Sequence, residues 1–172
     1  MNLEFKQFLD NNFHPASRVW IYQSSRLFTL SEALKIEETL KQFTDDWLSH
    51  GVAVRGAAYL LFGQFIVIMA DETATGVSGC STDSSVRVIK EIEKSFSVNM
   101  FERTLLAFFV HNKIQLLPLS QLQYAIDNGF ISADTLYFNN LVQTKQELEN
   151  NWIIPVKNSW LVKKISFTNS VS

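Results

Sequence analysis

A chain of 172 residues has the usual size of one domain, and at that length folding buries roughly 70% of the surface the unfolded chain exposes. Hydrophobic residues make up 47% of it, with 14 Phe and 4 Trp, which supplies a substantial core and excludes intrinsic disorder. A net charge of −2 and a pI near 5.9 argue against nucleic acid as a partner. The most apolar stretch, 57–70, is broken at Gly63-Gln64 and falls short of the ~20 residues a membrane span needs.

The opening run MNLEFKQFLDNN carries Glu4 and Asp10 and has neither a basic start nor a small-residue cleavage site, so a cytoplasmic location is expected. Cys80 is the single cysteine, which excludes an internal disulfide and any multi-cysteine metal site. Neither a metal nor a cofactor is expected.

Phe5, Phe8 and Leu9 recur at helical spacing and predict a short helix over 3–10. The β-branched and aromatic run at 18–23, RVWIYQ, predicts a strand. Thr29 and Glu32 have the spacing of a capping box, and Ala33, Ile36, Leu40, Phe43 and Trp47 form an apolar stripe, so a helix is expected over 30–49 with Gly51 as its stop. Strands are predicted at 53–62 and 64–71, with Gly63-Gln64 as a type II′ hairpin turn. A Gly/Ser/Thr-rich stretch then leads to a helix over 83–96, whose Val86, Ile89, Ile92 and Phe96 mark a buried face. A strand follows at 104–112.

Lys113 to Leu117 extends the sheet until Pro118, and Ser120 caps a helix that Gly129 ends. Thr144 and Glu147 make a second capping box for a helix near 145–150, and 152–155 and 160–165 read as closing strands. Trp20 and Trp47 should face the core, while Trp152 and Trp160 either pin the C-terminal part or rim an exposed patch.

The order β-α-β-β-α-β over 18–112 predicts an α+β fold of the ferredoxin-like split βαβ type: a four-stranded antiparallel sheet of order 4-1-3-2 with both helices on one face. With no linker-like run before it, 113–172 is expected to pack on that core as an extension, giving a single domain over 1–172.

The runs VWIYQSSRLFT, WLSHG, FIVIMADET with GVSGCSTDSSVRVIKEIE, and FNNLVQTKQELENNWIIPVKNSW resemble a family of small uncharacterised proteins from Bacteroidetes-type bacteria, over most of the chain. Some members carry the label "ABC transporter ATPase". That activity needs a GxxxxGK[ST] loop before a helix, and the sequence has none. The resemblance implies no catalytic residues.

Chemistry, if present, is expected at the loop that enters the second helix. There Gly79, Cys80, Ser81, Thr82, Asp83 and Ser84 could offer free N–H groups to a small anion or lower a thiol pKa; equally, the hydroxyls and Asp83 cap the helix and Cys80 packs as a small hydrophobe. The predicted topology gathers His50, Asp71-Glu72, Cys80, Asp83 and His111 at one end of the sheet, with the ends of strands three and four about 10 Å apart. His50 and His111 are thus candidate bases for a Cys80 nucleophile, or simply turn and strand-end polar residues. Arg18, Arg26, Arg55 and Arg103 could meet an acidic ligand but do not cluster. The expected function is a non-enzymatic module that binds a protein partner or a small anion, and an open sheet edge offers a route to homodimerisation; the alternative is a small thiol enzyme.

Overall fold

The structure, a computed structural model, describes residues 1–73 and 80–167, with the backbone alone for 80–82. In chain order the elements are β1 (Arg18–Gln23), α1 (Leu30–Asp45), β2 (Leu48–Ser49), β3 (Val52–Ala53), β4 (Gly56–Leu61), β5 (Phe65–Ala70), α2 (Cys80–Phe96), β6 (Leu105–Val110), β7 (Lys113–Pro118), α3 (Leu122–Asp127), β8 (Leu136–Phe138), α4 (Lys145–Asn151) and β9 (Ile153–Pro155). Short 3-10 helices at Lys6–Phe8, Leu119–Gln121, Val156–Asn158 and Trp160–Lys163 complete them. The chain divides into two compact units: Asn2–Phe101 with Asn140–Glu149, and Met1 with Glu102–Asn139 and Asn150–Ser172.

The first unit is built on an antiparallel sheet of order β1-β5-β4. The six residues of β5, FIVIMA, are all buried, as expected of a central strand covered on both faces. Ile36 and Leu40 of α1 and Val88, Ile89 and Ile92 of α2 share one core cluster with Tyr22, Ile66, Ile68 and Ala70, so both helices lie on one face of the sheet. On the N-terminal side the expected helix over 3–10 is reduced to a 3-10 turn that buries Phe5 and Leu9 and leaves Phe8 exposed.

Thr29 caps α1 with both halves of the capping box in place. Its Glu32 carboxylate also takes two bonds from the Arg26 guanidinium, at 2.9 Å each. These bonds, and then the Thr29 N–H, hold the Glu32 pKa at about 2 against its ordinary 4.5. A depressed folded-state pKa stabilises the fold above the unfolded value and stops doing so as pH falls through the folded one. In acid titrations of stability, the difference between wild type and Glu32→Gln should therefore be constant above ~4.5 and shrink between about 4.5 and about 2.

The helix expected over 30–49 stops at Asp45. Trp47 leaves the helical path to stack on Phe43 (4.7 Å) and face Trp20 (6.3 Å), and its carbonyl accepts from the Val54 N–H at 2.9 Å. That bond starts the small β2-β3 hairpin, whose turn is His50 (φ 51) and Gly51 (φ 78). Gly51 thus serves a hairpin rather than a helix stop. The β4-β5 turn also differs from expectation: Phe62 (φ 55) and Gly63 (φ 65) are its two central residues, the sign pattern of a type I′ rather than a type II′ turn.

The strand expected at 104–112 forms as β6 but pairs with β7 and β8 in a second sheet. The order 4-1-3-2 is realised only as 1-3-2, and the ferredoxin-like split βαβ sheet is not formed. The place beside β1 is taken instead by the returning segment of this unit: the Val19 N–H donates to the Gln143 carbonyl and the Lys145 N–H to the Ser17 carbonyl, both at 2.9 Å, and Arg18 bridges Thr144. At α4, Thr144 accepts from the Glu147 N–H, while the Glu147 carboxylate accepts from Gln143 rather than from Thr144 itself.

The second unit carries a four-stranded antiparallel sheet of order β7-β6-β8-β9. His111 (φ 49) and Asn112 (φ 62) make the β6-β7 turn. Leu106, Phe108, Leu122, Ala125, Tyr137, Val156 and Leu161 form its core, and Trp152 is fully buried beside Phe138. Ser120 lies inside a 3-10 turn and caps nothing. The strand expected at 160–165 is a 3-10 helix, because Ser159 accepts the Leu161 N–H and the tight turn places Leu161 in the core.

Candidate functional site

The described residues among those singled out from the sequence lie at the first turns of α2, at two turns and at the end of β5. Gly79, and the side chains of Cys80, Ser81 and Thr82, lie outside the described residues. Asp83 is exposed in the first turn of α2, and Ser84 lines a groove of about 650 Å³ between α1 and α2, with Phe43, Trp47, Leu48 and Arg87. His50 is exposed at the β2-β3 turn, and His111 is exposed at a turn of the second unit. A place for His111 beside Asp71 needs β6 to neighbour β1, and β6 pairs with β7 and β8 instead. Among the described residues no group of three His, Cys, Asp or Glu is placed to hold a metal ion, and no helix is long and apolar enough to cross a membrane.

The charges at the end of β5 are engaged within the first unit. Asp71 is buried, accepts from the Thr73 hydroxyl (2.6 Å) and N–H (3.0 Å), and lies 3.6 Å from Arg55. The Thr73 hydroxyl first, then its N–H and Arg55, hold the Asp71 carboxyl below the usual range. Glu72 pairs with Arg18 at 3.2 Å. Arg18 also lies over Trp20 and Arg55 over Phe13; among the described residues Arg103 has no such partner.

A different feature stands out at the far edge of the first sheet. The Asp71 N–H donates to the Arg55 carbonyl and the Ser24 N–H to the Gln64 carbonyl. Together with the registers, these two bonds fix the phase of both ladders: Ala57, Tyr59 and Leu61 bond to β5, whereas Gly56, Ala58 and Leu60 turn their N–H and C=O groups outward. Among the described residues nothing pairs with those outward groups, in contrast to the covered edge of β1. The strand itself carries no protection against pairing, since Gly56–Leu61 contains no proline and no charge and its register is unbroken.

This edge runs along a groove of about 740 Å³, within the range of ligand-binding clefts. One wall is α1, through Glu37, Leu40, Lys41 and Thr44; the other is the N-terminal segment, including Glu4, Phe5 and Phe8. Tyr59 in its floor accepts from the Asp10 N–H at 3.1 Å, and burial raises its phenol pKa. Gly56 lets the buried Trp47 ring pack directly on β4: a Cβ there would fall 2.4 Å from that ring. Gly56→Ala should lower the unfolding free energy by about 1–3 kcal/mol in a denaturant melt, the usual cost of overpacking. The sequence signal for this site is the uncharged, small-residue run Gly56-Ala57-Ala58 opening a strand, which reads as ordinary sheet until the strand order is known. Comparison with family models, with curated proteins and with solved structures finds no match for this chain.

Proposed function

We propose that this chain is a non-enzymatic binding module for a protein partner, and that it receives an extended segment of that partner as an added strand along β4. The observation that carries the reading is the row of outward backbone groups at Gly56, Ala58 and Leu60 lying along the floor of a walled groove. Added strands gain affinity from main-chain hydrogen bonds and specificity from pockets for alternate side chains, and the groove offers both. Kinship with the Bacteroidetes family is part of the proposal and assigns no residue a role.

Selection of short random peptides displayed on phage against the full chain tests it. The selected peptides should bind the wild type and lose binding to Ala58→Pro, which removes one outward donor and leaves the ladder to β5 intact. Peptides that bind Ala58→Pro as tightly as the wild type would overturn the reading.

A further inference from the structure

Resting on that strand-addition reading, we infer that the segment β4 receives is an antiparallel run of about five residues, uncharged except for a lysine or arginine at the position opposite Leu60. The direction follows the sheet, in which every described pairing is antiparallel, the slightly stronger arrangement per residue. Five positions match Gly56 to Leu60, about 17 Å of strand. Residues opposite Leu60, Ala58 and Gly56 share the face of those side chains and look toward α1; the two between them look toward Phe5 and Phe8.

The charge requirement comes from the walls. α1 runs antiparallel to β4, since Phe28 just before it donates to the Gly63 carbonyl and Trp47 just after it packs on Gly56. At 1.5 Å per helical residue, Glu37 stands about 12 Å before the end of α1 at Asp45, level with Leu60, which lies about 14 Å along β4 from Gly56. Phe5 is in edge contact with Phe62, which places Glu4 toward the same end. Neither Glu4 nor Glu37 has an ion-pair partner among the described residues, whereas Lys41 is paired with Asp45. That end of the groove is therefore acidic. One turn before Glu37, Leu34 is exposed, so a long basic side chain can lay its stem on Leu34 and its head on Glu37.

A second copy of this chain fits the groove poorly. Two β4 strands paired about a two-fold axis stand ~4.8 Å apart, and α1 packs directly against β4. The two α1 helices would then meet on one face at less than the 8–10 Å that helix axes need. A slender segment without such a wall does not face this clash.

The test uses two synthetic probes, acetyl-Lys-Val-Thr-Val-Thr-amide and its Glu-first counterpart, titrated into the full chain and followed by amide chemical shifts. The Lys probe should shift the Gly56, Ala58 and Leu60 amides and bind at least about threefold tighter than the Glu probe at low salt, and Glu4→Lys combined with Glu37→Lys should reverse that order. Equal binding of both probes, lost in Ala58→Pro, would overturn the charge assignment and leave the strand-addition reading standing. Failure of both probes to move those amides at millimolar concentration would overturn both, as would a sedimentation result in which the chain dimerises and Ala58→Pro makes it monomeric.

Discussion

Ala57→Pro is expected to lower the unfolding free energy by about 3 kcal/mol or more, while its neighbour Ala58→Pro costs under about 1.5 kcal/mol. The two positions have the same residue type, the same strand and similar exposure. They differ in where the amide points. Ala57 is in a hydrogen-bonded pair with Met69, so proline there removes a donor, strands the Met69 carbonyl in a fully buried strand and drives its ring into β5. At Ala58 the ring projects into the open groove and no ladder bond is lost. Urea melts of the two variants check this directly, and equal losses would show that the ladder phase is wrong.

Phe108→Ala should cost about 3–5 kcal/mol, the range for removing a fully buried aromatic ring. Phe108 is completely buried on β6, its ring 5.5 Å from that of Tyr137, in the core formed with Leu106, Leu122 and Leu161. A loss below about 1 kcal/mol in the same melts would contradict this core assignment.

The elements and the site were unequally legible in the sequence. β1 is found at the expected 18–23 because RVWIYQ is β-branched and aromatic throughout, and the Thr29–Glu32 box places the start of α1 because both its bonds are local. What local pattern cannot specify is which strands neighbour one another. An apolar run such as LLAFFV suits any sheet interior, and its assignment to β7 and β8 rather than β1 depends on the tight His111-Asn112 turn and on the segment 140–149 returning to cover β1. The end of α1 departs from its sequence pattern for a related reason: the apolar stripe continues in phase to Trp47, yet Trp47 packs from a non-helical position. The edge of β4 was hidden twice over, since exposure of an edge is a property of strand order, and the walls of its groove come from residues around 4–8 and 37–44, distant in sequence.

Backbone amide exchange of the free chain, resolved residue by residue along β4, tests the central claim most directly. The amides of Gly56, Ala58 and Leu60 should exchange fast and those of Ala57, Tyr59 and Leu61 slowly, alternating along one strand. Uniform protection of all six would mean that the edge is already covered, and the proposal that a partner adds a strand there would fall.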